Sequence, residues 1–429
     1  MKTKILQKTF LSLIALALVG IAPVKTAIAQ QPGPLDISGE INGAPFRIVV
    51  PADWNGTLLL FQRGYTDKHD HPWEPPDNRN PTIAPRADVR DALLANGYAL
   101  SGSARKDNGW SVEEGLDDVV ALASYFRENV ANPTITILWG SSFGSVIALE
   151  TAERNGGLFD GYLAGASVGA GASRTVDHFL VLRLAYDVTF GMPTSWGTPG
   201  DVRDLLDYET EVEPILSAQA GDPANFGRFE FIRLVAGIPG SGIEPPPGYF
   251  PGHLISLPFF FATEGEQELE RRAGGPVAQN ITHTYALTSA EKVYLASLGV
   301  DADPLLDAMN ARRNIAAPPE PRNYVEHFAD YSGLIKHPVL ALHTKVDEVV
   351  PVASESAYQN TIATVGRGNL LVQVYTTGIG HGSFTPGQLL VAIRAIDGWS
   401  RSGTPPPSSA FPAEDGFIPG YVPPAWPQP

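Results

Sequence analysis

The sequence predicts an α/β fold: a mostly parallel, doubly wound sheet covered by helices on both faces, with a large inserted cap. Three observations carry this expectation. Short, almost wholly apolar segments alternate with helix-like ones, as strands buried on both faces require. That rhythm then breaks between two such strands for far longer than a crossover needs. The chain has 429 residues, 43% apolar and 18% charged, enough to fill a substantial core.

In chain order, Lys2, Lys4 and Lys8 precede an apolar run from Phe10 to Ala22, followed by Pro23 and the small-residue pattern Ala27-Ile28-Ala29. This is the pattern of a secretory signal peptide over 1–29, and the run is too short to span a bilayer. A secreted or periplasmic protein is expected. Residues 36–62 read as hairpin strands, Phe46 to Val50 and Leu58 to Phe61 flanking a Pro-Ala-Asp-Trp-Asn-Gly turn at 51–56. A helix at about 87–96, a strand at 98–101 and a helix begun by Ser111, with Glu114 closing a capping box, come next. The buried strand Ile135 to Trp139, a helix at about 143–155 and a strand at about 161–167 complete the first half of the sheet.

The next apolar strand is Pro338 to His343, so most of 173–325 is an insertion, read as a cap. It has helical stretches near 200–218 and 289–312, a Pro/Gly-rich stretch from Gly237 to Gly252, and aromatics at Phe179, Tyr186, Trp196, Tyr249 and Phe259 to Phe261. Those aromatics are expected mainly to pack the cap's own core. The sheet resumes at Leu370 to Tyr375, and a last helix covers about 386–400. The core thus comprises 30–172 and 326–402, and the proline-rich tail, 403–429, is expected to be extended or disordered.

Composition excludes several classes of function. Lys and Arg number 30 against 46 Asp and Glu, a net charge of -16, which repels nucleic acid and anionic membranes. The absence of cysteine removes disulfides, thiolate metal sites and thiol nucleophiles. His69-Asp70-His71 is weak as a metal pair in a Pro/Asn/Asp-rich loop, and the sequence calls for no metal or cofactor. Asn55-Gly56-Thr57 and Asn280-Ile281-Thr282 match glycosylation acceptors.

Gly140-Ser141-Ser142-Phe143-Gly144 matches G-x-S-x-G, with a buried strand before it and an apolar helix after it, the context in which a serine sits on a strained turn. Serine is a poor nucleophile near neutral pH, so Ser142 needs a base, and the base an orienting carboxylate. His381, in the loop Gly378-Ile379-Gly380-His381-Gly382, follows the strand that ends at Tyr375. Asp347, four residues past His343, is the expected acid, with Asp177 as rival and Glu348 expected to be solvated. The N–H of Phe143 is the first expected oxyanion donor. The second comes from Gly64 or Tyr65 in the loop Gln62-Arg63-Gly64-Tyr65, with Arg63 a bystander or ion-pair partner.

On Leu58 to Tyr65, Trp139 to Gly144, Pro338 to Asp347 with Pro351, and His381 followed by Phe384 and Trp399, the chain resembles secreted α/β-hydrolase-fold serine hydrolases over about 36–172 and 326–402. Arg63 departs from the histidine that many members carry before the oxyanion glycine. The expected activity is hydrolysis of a small-molecule carboxylic ester through a Ser142-His381-Asp347 triad and an acyl-enzyme. Two alternatives stand beside it. One is an exopeptidase or amidase of the same fold, with Asp207, Glu209, Glu211 or Glu213 binding a free amine. The other is a secreted binding module on an idle hydrolase scaffold. The oligomeric state is left open.

Overall fold

The computed structural model describes residues 33–239 and 252–426. The expected signal peptide, and Tyr249 with most of the Pro/Gly-rich stretch, lie outside the described residues.

The chain opens with an antiparallel pair, β1 (Leu35–Ile41) and β2 (Ala44–Val50). It continues through β3 (Thr57–Gln62), α1 (Ala87–Ala95), β4 (Ala99–Ser103), α2 (Val112–Asn129), β5 (Ile135–Ser141), α3 (Phe143–Arg154) and β6 (Gly161–Gly165). After the insertion come β9 (Val339–Val346), α12 (Ser354–Thr364), β10 (Leu371–Ile379) and α13 (Pro386–Ser402). The insertion carries α4 (Ala172–Phe190), a minute hairpin of β7 (Gly197–Thr198) and β8 (Asp201–Val202), then α5 (Glu213–Ala220), α6 (Phe226–Val235) and α7 (Gly252–Phe261). Its last helices are α8 (Glu264–Ala273), α9 (Ser289–Ser297), α10 (Ala302–Asn310) and α11 (Pro319–Ala329).

Eight strands form one sheet in the order β1-β2-β4-β3-β5-β6-β9-β10. Only β1–β2 and β2–β4 pair antiparallel; the other five neighbours are parallel. This is α/β-hydrolase architecture. Side chains of α2 and α3 fill one face with the cap's apolar residues, and those of α1 and α13 fill the other. Because the inner strands run parallel, the loops after β3, β5, β6, β9 and β10 all leave one carboxyl edge, where such sheets gather their functional groups.

Three local expectations are corrected. The strands flanking 51–56 are not a hairpin: β4 lies between β2 and β3. The true hairpin turn is Asn42-Gly43, with φ of 52° and 87°, the pair of positive values a two-residue turn needs. β3 is buried at every position, so it belongs inside a parallel sheet. Secondly, α2 starts after Ser111, but Ser111 makes no side-chain cap. Its Oγ instead accepts from Arg105 Nε at 3.0 Å, while Glu114 pairs with Arg272.

Thirdly, the tail is irregular but packed. Phe411 and Phe417 are buried, Thr377 N–H donates to the Gly416 carbonyl, and Ile418 N–H donates to that of Tyr375. Through these bonds it covers part of β10, the edge strand.

Among the cap aromatics, Tyr186 stacks on Trp196 and meets Phe259 edge-on, which packs the cap. Phe260 and Phe261 do something else: both meet the ring of Tyr65, at 5.9 and 5.2 Å between centroids.

Candidate active site

Ser142 stands alone between β5 and α3 with φ 56° and ψ -128°, a strained conformation for a residue with a side chain. The surrounding contacts enforce it. A Cβ on Gly140 would fall 2.3 Å from the Gly144 carbonyl oxygen, and one on Gly144 would fall 2.1 Å from that of Gln62. Only glycine therefore lets strand, turn and helix come this close. Ser142 N–H donates to the Gly165 carbonyl at 2.9 Å. Ser145, a residue the sequence did not single out, donates from Oγ to the Ser142 carbonyl at 2.6 Å and accepts from Val168 N–H.

Asp347 follows β9 and is fully buried. Its Oδ1 accepts from the N–H groups of Val349 and Val350, at 3.0 and 2.9 Å. This fixes the carboxylate, both of whose oxygens lie 2.9 to 3.0 Å from His381 Nδ1. Burial alone would raise the carboxyl, but His381, His343 and the Val350 N–H hold it below its ordinary range. Burial likewise disfavours the imidazolium, yet Asp347 wins and raises His381. With Nδ1 tied to the acid, the other nitrogen, Nε2, is buried and takes no hydrogen bond among the described residues.

The His381 loop and the Ser142 turn meet: a Cβ on Gly382 would lie 3.4 Å from Ser141 Oγ. His381 and Ser142 are the chain neighbours of this touching pair, and no hydrogen bond among the described residues joins them. Gly64 lies against Ser142, its Cβ position 3.7 Å from the serine Cβ. No acceptor among the described residues takes the N–H of Gly64, Tyr65 or Phe143.

Other expectations find different places. The rival acid Asp177 is engaged by Arg322 at 2.8 and 3.0 Å and by Gln279 N–H. Glu348 is buried, not solvated. Arg63 makes no ion pair among the described residues; it donates to the carbonyls of Asn78, Asn80 and Ala104 and to Asn108 Oδ1. Asn280 is 2% exposed and bonded to Tyr285, Arg312 and Ile315, and Asn55 caps its own turn by accepting from Thr57 N–H. His69 Nδ1 contacts the Pro75 carbonyl, and His71 stacks on Trp73.

Asp207, Glu209 and Glu213 line a cavity of about 550 Å³ with Asp67, Glu74 and Glu264. Glu211 instead pairs with Arg203. Phe260 also lines this cavity, touching Tyr208 on one side and Tyr65 on the other. Burial and the neighbouring carboxylates push Glu264 up to about 7.

No family model matches the chain, and no curated protein matches it. Among solved structures, it is similar to feruloyl esterase B from Aspergillus oryzae at 13% identity and a TM-score of 0.40, covering 87% of this chain and 80% of that one. An epoxide hydrolase from Vigna radiata is 14% identical with a TM-score of 0.36, over 86% and 98% of the two chains. Brefeldin A esterase, a bacterial protein, is 13% identical with a TM-score of 0.38, over 90% and 79%.

Proposed function

We propose that the protein hydrolyses a small-molecule carboxylic ester, with Ser142 as nucleophile, His381 as general base and acid, and Asp347 as the group that orients and charges the imidazole. The observation that carries this reading is the strained Ser142 turn held at the sheet edge where the Asp347–His381 pair also stands.

In the proposed reaction, Ser142 Oγ attacks the ester carbonyl while His381 Nε2 takes its proton, giving a tetrahedral oxyanion facing the N–H of Phe143 and of the Gly64-Tyr65 segment. Collapse breaks the bond to the leaving alcohol, which receives the proton from His381. Water then attacks the acyl-enzyme by the same route, releasing the acid and restoring Ser142. Each preorganised oxyanion donor is worth about 3 to 4 kcal/mol.

A second reading, cleavage next to a free amine, is favoured by the carboxylate-lined cavity one aromatic ring away from Tyr65. Comparing p-nitrophenyl esters with free-amine amino acid amides separates the two, and faster turnover of the amides would replace the first by the second. A fluorophosphonate probe tests the shared chemistry: it should label the wild type and not Ser142→Ala, which should also lose turnover. An unlabelled, correctly folded wild type would return the chain to the idle-scaffold alternative.

A further inference from the structure

We infer that Arg105 is the positioning residue of the oxyanion hole, and that it turns the N–H groups of both Gly64 and Tyr65 toward the nucleophile. The inference rests on the acyl-transfer reading above and concerns how that site is built.

Arg105 follows β4, is 1% exposed and enters no ion pair among the described residues. Its Nη1 donates to the Arg63 carbonyl at 3.0 Å and its Nη2 to the Gly64 carbonyl at 3.1 Å. In an extended strand successive carbonyls point to opposite sides; here two in a row converge on one guanidinium fork. A trans peptide sets its N–H opposite its carbonyl. The N–H groups of Gly64 and Tyr65 therefore both face away from Arg105, forming the concave pair of donors that binds anions. Gly64 itself lies against Ser142, and neither N–H has an acceptor among the described residues. Sequence left the choice between Gly64 and Tyr65 open; this geometry makes both donors.

The same guanidinium reaches the other half of the hole. Its central carbon lies 4.9 Å from the ring centroid of Phe143, the residue whose N–H is the first expected donor, and cation–π attraction holds the two together. Nε donates to Ser111 Oγ at 3.0 Å, which pins the planar group from its third side. Arg105 adopts φ 58°, a left-handed backbone that side chains avoid, so its placement is maintained against local preference.

Charge adds to geometry. Arg63 is also buried, and among the described residues both arginines bond only to carbonyls, Asn108 Oδ1 and Ser111 Oγ, with no carboxylate within ion-pair distance. Burial, then repulsion from Arg63, pushes Arg105 down to about 9, still cationic near neutral pH. A cation that polarises a carbonyl strengthens the N–H at the other end of that peptide. Its own positive charge also favours the oxyanion.

The test uses Arg105→Met, Arg105→Lys and Ser111→Ala in the full-length protein, with a p-nitrophenyl ester as substrate and a trifluoromethyl ketone of the same acyl group as probe of the oxyanion. Arg105→Met should lower kcat about 100-fold, the loss typical of one missing oxyanion donor, with KM within about twofold. Its affinity for the ketone should fall in proportion. Arg105→Lys should recover most of the loss, because a charged donor is restored.

If Arg105→Met does not fold, Ser111→Ala carries the test: unpinning Nε should lower kcat severalfold at unchanged KM. Unchanged kcat in a folded Arg105→Met overturns the inference. Where Arg105→Met does not fold, unchanged kcat in Ser111→Ala overturns it, and in either case so does a kcat loss that the ketone does not follow. Labelling of the wild type by a fluorophosphonate keeps these outcomes apart from failure of the hydrolase reading, which would abolish label and turnover in the parent protein.

Discussion

The nucleophile side and the base side of the candidate site are held by different physics. Around Ser142 the restraint is steric: two glycines whose side of the backbone is already occupied by carbonyl oxygens, and a serine forced to positive φ. Around His381 it is electrostatic: a buried carboxylate, two backbone N–H groups and an imidazole with one nitrogen committed. The first side should therefore be sensitive to a single added methyl group and the second to a single lost charge.

Asp347→Asn breaks the base side and should give the largest effect. The amide cannot stabilise the imidazolium, and loss of the orienting carboxylate in such triads costs about 10⁴-fold in kcat near neutral pH. The pH profile carries the sign. In the proposed reaction His381 must be neutral to take the proton, so kcat/KM should rise with pH through a value above the ordinary 6.5. Without the carboxylate, burial dominates and the acid limb should move to lower pH. A variant with an unmoved acid limb would detach Asp347 from His381.

Stability runs the other way. His381, raised in the fold, contributes stability that is complete below 6.5 and is lost as pH rises through its folded value. Asp347, lowered in the fold, contributes stability present above 3.8 and lost as pH falls through its own folded value. The pair thus holds the loop most firmly under mildly acidic conditions, where His381 is protonated and the proposed base is out of action.

Gly144→Ala breaks the nucleophile side. Its Cβ would meet the Gln62 carbonyl oxygen at 2.1 Å and that of Arg63 at 2.9 Å. Neither is the end of a flexible side chain, so β3 and the loop carrying Gly64 must move. Overpacking of this kind costs about 3 kcal/mol, read as a lower denaturant midpoint. A wild-type midpoint would mean that the turn is not sterically held.

These two sides also differ in how far sequence revealed them. The Ser142 turn was legible because its requirements are local: glycine, serine and glycine at fixed spacing between an apolar strand and helix. Asp347 and His381 were legible through chain order and the ends of apolar strands. What escaped depends on distant partners. Arg105 carries no local signature; its carbonyl partners lie about forty positions earlier in the chain. Ser111 looked like a cap because nothing in the sequence shows that Arg105 occupies its hydroxyl. Proline content suggested a loose tail, but Phe417 finds its burial against β10 and Phe411. Truncating Phe417 to alanine should cost about 3 kcal/mol, and a loss under 1 kcal/mol, measured by denaturant unfolding, would show that the tail's contact with the edge strand contributes little.

The smallest expected effect separates strain from chemistry at one position. With φ 56° and ψ -128°, Ser142 occupies a region of backbone space that glycine enters freely and side chains avoid. Strain at such a site amounts to about 1 to 3 kcal/mol. Ser142→Gly relieves it but loosens the unfolded chain, which returns about 0.5 to 1 kcal/mol. The net gain in stability should be about 1 kcal/mol. Ser142→Ala keeps the Cβ and hence the strain, so it should show no such gain, although both variants remove the proposed nucleophile. Equal unfolding midpoints for the two would mean that the turn stores no strain, and that the glycines at 140 and 144 do not confine the serine to this conformation.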